Sequence, residues 1–256
     1  MSDAPAESPN DPFARLRIAT RARIGLGRAG DALPTRALLD FQAAHSRARD
    51  AVHGVVDFDA IAEQLDAQGL RSLRIRSQVT DRASYLRRPD LGRRVYVDDL
   101  PTLEAAHGDY DLAFVVADGL SAAAVNAHAA ALIGETRARL STLTLAPVVL
   151  AQQARVALGD EVGAVLGARI VALLVGERPG LSVADSLGVY LTWAPRVGRS
   201  DAERNCISNI HADGLTYAQA ADTLAWLITE SRRRQLSGVQ LKLDAAPTAV
   251  IEAATP

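Results

Sequence analysis

The stretch Arg169-Ile-Val-Ala-Leu-Leu-Val-Gly-Glu-Arg-Pro-Gly-Leu-Ser182 decides how the chain is read. Its first half is a short apolar run with β-branched side chains, which predicts a strand buried on both faces. At the carboxyl end of that run come two glycines, a proline and the charged pair Glu177-Arg178. Open α/β sheets hold small molecules at such ends, where helix-covered strands give way to loops. The loop is therefore the first candidate for a ligand-facing segment.

The same pattern repeats outward from this point. Leu112-Ala-Phe-Val-Val-Ala117 reads as a strand ending in Asp118-Gly-Leu-Ser121, followed by an alanine-rich helix to about Leu140. Thr144 to Leu150 reads as another, ending in the segment Gln152 to Asp160 before a helix that stops at Gly167. Val189 to Trp193 is a fourth strand. The polar run Glu203-Arg-Asn-Cys-Ile-Ser-Asn-Ile-His211 reads as a loop, and Thr216 to Leu236 as a long helix with Ala221, Leu224, Leu227 and Ile228 on one face. Strands alternating with helices predict an α/β protein, with a Rossmann-like parallel sheet domain over residues 100–242. Its rim would comprise Asp118–Ser121, Gln152–Asp160, Glu177–Ser182 and Asn205–His211.

The N-terminal part has a different character. Residues 1–12 hold three prolines and little that is apolar, which predicts a disordered arm. Residues 13–99 read as an arginine-rich, mainly helical region. One helix is expected from Thr35 to Val52, capped by Asp31 or Thr35, with Leu38, Leu39, Phe41 and Val52 facing inward. A second is expected from Asp57 to a stop at Gly69. The cluster from Arg82 to Arg94 suits a docking surface for a partner, because guanidinium forks pair with carboxylates. Residues 243–256 read as a frayed tail. Gly25, Gly27 and Gly30 spell G-x-G-x-x-G, but no strand precedes them and Pro34 delays the helix, so a dinucleotide role is rejected.

Composition bounds the function. A net charge of −2 argues against a general nucleic-acid binder. No run approaches the ~18 apolar residues of a membrane span. One cysteine allows no internal disulfide and the start lacks a leader-like pattern, so a cytoplasmic protein is expected. The histidines lack metal-ligand spacing. Cys206 has only His211 near it in sequence as a base for nucleophilic chemistry, and a lone buried cysteine is more often inert packing. Asn209-Ile-His-Ala-Asp-Gly214 approaches the D-x-H-x-x-G spacing by which some cobalamin proteins place histidine on cobalt. Asparagine orients an imidazole poorly, so ligation by His211 is not expected.

Five strings point further. Ala22-Arg-Ile-Gly-Leu-Gly-Arg-Ala-Gly-Asp-Ala-Leu-Pro-Thr35, Arg76 to Gly92, Val116-Ala-Asp-Gly-Leu-Ser121, Gly176-Glu-Arg-Pro-Gly-Leu-Ser182 and Arg204-Asn-Cys-Ile-Ser-Asn-Ile-His211 resemble, in order, the light subunit family of ethanolamine ammonia-lyase. The resemblance covers nearly everything between Ala22 and Gly238. It implies an adenosylcobalamin enzyme that converts ethanolamine to acetaldehyde and ammonia, with the substrate held by a large catalytic subunit and the cofactor between the two chains. It also implies that the cofactor keeps its own base on cobalt, with no protein ligand. Val156, Glu177 and Cys206 match family positions that contact cobalamin. Arg178, Asn205 and Ser208 follow as polar neighbours. A bacterial microcompartment is a further location that the resemblance allows. Two other readings remain open: a docking or scaffold protein without cofactor, and a nucleotide-dependent oxidoreductase, which lacks a phosphate loop after its first strand.

Overall fold

A computed structural model describes residues 11–242, so the expected arm at 1–12 falls almost wholly outside the described residues and the expected tail at 243–256 entirely so. In chain order the elements are α1 (Ala14–Ala19), α2 (Thr35–His53), α3 (Phe58–Ala67), β1 (Ser72–Arg76), α4 (Arg82–Arg87), α5 (Leu100–Glu104), β2 (Tyr110–Ala117), α6 (Ala122–Arg139), β3 (Val148–Gln152), α7 (Leu158–Leu166), β4 (Ala168–Gly176), β5 (Leu187–Trp193), β6 (Arg204–Ile210) and α8 (Tyr217–Arg234).

The six strands form one sheet in the order β1-β3-β2-β4-β5-β6. The strands β1, β3, β2 and β4 pair in parallel, whereas β5 runs antiparallel to both β4 and β6. The expectation of a parallel sheet is therefore corrected to a mixed one. A parallel return needs a crossover of a dozen or more residues, usually a helix, and residues 177–186 between β4 and β5 contain none. Because β5 is reversed, β6 regains the direction of β4, and five of the six strands point their carboxyl ends to one edge.

Two strands were not legible as such. The segment at β6 reads as a loop because Cys206 and Ser208 are exposed and polar, while Ile207 and Ile210 are buried. That is the alternation of an edge strand with one wet face. The region 13–99, expected to be mainly helical, supplies β1, whose Ile75 is buried while Arg74 and Arg76 face solvent.

Core residues alternate between the two faces of the sheet. Phe114, Val116, Ala172 and Leu174 pack under α3, α6 and α8 against Leu132, Ile133, Leu224 and Ile228. Ala113, Val115, Val171 and Leu173 pack on the other face against Leu103, Leu158, Val162 and Leu166. Truncating a side chain as enclosed as Phe114 costs about 3–5 kcal/mol. Close approach of α7 to the sheet requires Gly163, since a Cβ there would lie 2.3 Å from Val171 Cγ2.

Several local expectations hold. Asp57 caps α3 by accepting from Ala60 N at 3.0 Å, and Gly69 ends that helix with φ of 71°. Thr216 and Gln219 form a capping box at the start of α8. One does not: Leu38, Leu39 and Phe41 are 40%, 57% and 40% exposed. Helix α2 rests on the body through small residues, Ala44 and Ala51, while Leu38, Leu39 and Phe41 in its first half stay exposed, with the Arg23 guanidinium 5.9 Å from the Phe41 ring centre. Its start is also uncapped by any side chain, with Pro34 at the cap position.

Candidate functional site

The chain leaving β2 turns through α6 toward β3, whereas the chain leaving β4 turns the other way into β5. Neighbouring strands whose continuations diverge open a crevice between their carboxyl ends, the place where α/β sheets take ligands. Here that crevice is a recess of about 240 Å³ lined by Gly119 and Leu120 after β2, Val156 after β3, Glu177 and Arg178 after β4, and Tyr85, Arg155 and Tyr190.

Its walls meet closely. Gly119 has φ of 61°, and a Cβ on it would lie 2.3 Å from Gly176 O. The half-buried Glu177 is fixed through one oxygen: Oε2 accepts from Asn209 N at 3.2 Å and from the Ser186 hydroxyl. Oε1 has no partner among the described residues. Neither does Glu177 pair with Arg178, which is exposed, so the two do not form the local ion pair that adjacency would permit.

Strand register brings Cys206 of β6 opposite Tyr190 of β5. Cys206 is exposed, which corrects the reading of it as buried packing. Crowding by protein atoms pushes its thiol upward, contact with the Tyr190 hydroxyl offsets part of this and the charge of Glu177 adds to it, which disfavours the thiolate form. Burial likewise pushes the Tyr190 phenol up to about 12. Ser208 shares the exposed face of β6 with Cys206. Asn205 points the other way: its amide donates to Gly238 O at 3.2 Å and Leu241 O at 2.9 Å, and accepts from Gly238 N at 2.7 Å. It holds the chain after α8, on the face of β6 opposite Cys206 and Ser208.

Tyr85 and Arg155 line the far wall, and Arg82 stands beside them. The Tyr85 ring lies 4.5 Å from the Arg82 guanidinium and 4.0 Å from that of Arg155. Arg82 donates to Val52 O, Gly119 O and Gln153 Oε1 at 2.7, 3.0 and 3.3 Å, tying α2 and two rim loops together. Arg94 is bound by Glu161 and Arg88 by Asp90, so much of the Arg82–Arg94 cluster serves internal contacts. Beneath the loops, Asp118 accepts from Ala154 N at 3.3 Å, and burial raises its carboxyl to about 6. Only tertiary placement reveals Tyr85, since it lies far from the rim in sequence.

His211 is buried in its own turn. Its Nε2 meets Asn209 Oδ1 at 2.9 Å, and Nδ1 accepts from Asp213 N at 3.3 Å. Among the described residues no group of three His, Cys, Asp or Glu side chains is placed to hold a metal. No helix of the described residues is long and apolar enough to cross a membrane.

The family described as ethanolamine ammonia-lyase light chain (EutC) matches residues 10–242. The chain belongs to this family. It is 54% identical over 244 residues to the ethanolamine ammonia-lyase small subunit of Pseudomonas putida strain GB-1, covering 93% of this chain and 90% of that one. Similarity to the small subunits of Pseudomonas syringae pv. tomato, 52% over 257 residues, and Xanthomonas campestris pv. campestris, 54% over 247 residues, spans 96% and 94% of this chain and 90% and 91% of theirs. As a light chain of this family, the protein carries its rim on the face where the strands end.

Proposed function

We propose that this chain is the small subunit of an adenosylcobalamin-dependent ethanolamine ammonia-lyase, a carbon–nitrogen lyase that converts ethanolamine to acetaldehyde and ammonia. Residues 100–242 act as a Rossmann-like cobalamin-binding domain, and residues 13–99 dock the large catalytic subunit, which holds ethanolamine. The cofactor supplies radical chemistry from its cobalt–carbon bond when bound. This chain contributes binding and orientation.

The observation that carries the reading is the free Glu177 Oε1 at the divergence of β2 and β4, beside the exposed strip of Cys206 and Ser208. The recess fits this use. At about 240 Å³ it lies below the usual range for a pocket that encloses a ligand, so a macrocycle would lie across the rim with only a peripheral group entering. Val156, Tyr190 and Cys206 offer apolar contact, Arg178 and Ser208 offer donors, and Glu177 offers an acceptor to the amides of a corrin ring. Both ring nitrogens of His211 are engaged within its turn, which supports a cofactor that keeps its own base on cobalt.

Docking by the N-terminal region is supported by its surface. Phe13, Leu16, Ile18, Leu33, Leu39 and Phe41 are all at least 40% exposed, a density of apolar groups that marks interfaces. Eight arginines against three aspartates between residues 13 and 53 add a positive field suited to an acidic partner face. Arg21 pairs with Asp213, and Arg23 donates to Leu181 O at 3.1 Å, so this surface adjoins the rim.

Mixing the chain with the large subunit should restore ethanolamine-dependent acetaldehyde formation that neither shows alone. Glu177→Ala should weaken cobalamin affinity more than it lowers turnover at saturation. No spectral change of cobalamin with the assembled complex would leave the scaffold reading in its place.

A further inference from the structure

Strand β1 lies at the edge of the sheet, and part of that edge is open. Val148 N donates to Arg71 O at 2.9 Å and Ser77 N to Gln152 O at 3.0 Å, so the odd-numbered residues of β1 turn their backbone groups to β3 and the even-numbered ones turn theirs outward. At Arg76 the chain itself closes the edge: Tyr96 N donates to Arg76 O at 2.8 Å, and Arg76 N donates to Asp99 Oδ2 at 2.7 Å. Before that point the N–H and C=O groups of Ser72 and Arg74 have no partner among the described residues. An unpaired edge of this kind is a template for a further strand.

A groove of about 670 Å³ adjoins the same strand. Register sets Arg74 opposite Leu150, and both line the groove together with Val55, Val56 and Phe58 at the approach to α3. The charges around it are engaged internally: Arg74 pairs with Asp59, Arg76 with Asp99, and Asp57 accepts from Ala60 N. The groove therefore favours uncharged, apolar side chains. A strand added to a sheet edge gains main-chain hydrogen bonds and is read through pockets for its alternate side chains. A second copy of β1 is a poor occupant, because it would bring Arg74 and Arg76 to this face, against the same arginines and an apolar lining.

We propose that an extended, apolar segment of the large subunit adds as a strand to β1, pairing with Ser72 and Arg74 and sending alternate side chains into the groove. The inference rests on the reading that residues 13–99 dock the large subunit, and it names how this part of them does so. Since β1 pairs with β3, the added strand joins the partner to the sheet that carries the rim.

The test is amide hydrogen exchange resolved to single residues, on the full chain alone and in complex with the large subunit. Alone, Ser72 and Arg74 should exchange fast, while Leu73 and Ile75, turned to β3, exchange slowly. Assembly should slow Ser72 and Arg74 about tenfold or more. Ser72→Pro removes an outward N–H at the first position of an edge strand, where proline is tolerated. It should raise the concentration of large subunit needed for half assembly about tenfold, and Ser72→Ala should leave it unchanged. Unchanged exchange at Ser72 and Arg74 in the complex overturns the strand addition. So does protection that is already present in the chain alone and grows with its concentration, which would put a second copy on the edge. Failure of the two subunits to form a complex overturns the docking reading instead.

Discussion

Arg204 at the start of β6 and Asp160 in the first turn of α7 form a two-pronged ion pair, Nη2 to Oδ2 at 2.8 Å, with each side chain only 2% exposed. Arg204 also donates to Thr192 Oγ1 at 3.1 Å and Arg199 O at 2.8 Å. A buried charge is stable only when its partner stays, because stranding one ion in the interior incurs its desolvation cost. The pair therefore pins the edge strand that presents Cys206. Asp160→Asn is expected to lower stability by about 3–5 kcal/mol, and Asp160→Leu combined with Arg204→Met to recover most of it. Urea denaturation of the three proteins checks this; equal losses in single and double variants would contradict it.

Asp118 gives a pH signature. Its carboxyl is raised from 3.8 to about 6, chiefly by burial, so the folded state holds the proton more tightly than the unfolded one. The stabilisation is complete below about pH 4 and is lost as pH rises through 6, amounting to roughly 3 kcal/mol at most. Asp118→Asn cannot titrate. The stability of wild type relative to this variant should fall between pH 4 and 7, read from urea midpoints at each pH, and a difference that stays flat would show that Asp118 is not the group responsible.

Gly119 combines a left-handed φ with contact against Gly176. Gly119→Ala should cost about 1–3 kcal/mol from backbone strain, with more from the forced separation of the β2 and β4 ends. Cobalamin affinity of the assembled complex should fall as well. A variant as stable as wild type would mean the loop relaxes freely.

Leu39 is 57% exposed, so Leu39→Asp should change the stability of the isolated chain by no more than about 0.5 kcal/mol. In titrations of the large subunit, however, the concentration of this chain giving half-maximal activity should rise while the plateau is kept. A lower plateau at unchanged half-saturation would place the residue outside the subunit interface.

Cys206 is the only cysteine and is exposed, which makes it a footprint. Its raised thiol predicts slow alkylation at neutral pH that accelerates as pH increases. Bound cobalamin should slow it further, measured by mass spectrometry of the peptide containing Cys206. Equal modification with and without cofactor would remove Cys206 from the contact set.

The apolar runs at β2 and β4 and the helical period of α8 were legible in the sequence because burial on both faces, or on one helical stripe, leaves a period that does not depend on neighbours. So were the loops after β2, β3 and β4, since glycine and charge interrupt those runs. Edge strands were less legible: β1 and β6 have wet faces, and their polar residues resemble loops until a partner strand fixes the alternation. The inward placement expected for Leu38, Leu39 and Phe41 failed because periodicity identifies an apolar face without saying which chain covers it.

By itself, then, the sequence determined the α/β class, the family, and the segments that carry Val156, Glu177 and Cys206, because these depend on local patterns and on strings of residues. Only the tertiary structure decided that β5 runs backward, that β6 thereby brings Cys206 beside Tyr190, that Asn205 faces away, and that Arg155 lies over the Tyr85 ring in the recess that Glu177 lines. Strand direction and side-chain facing are set by connection length and by packing between distant segments, and neither is written in any one stretch of the chain.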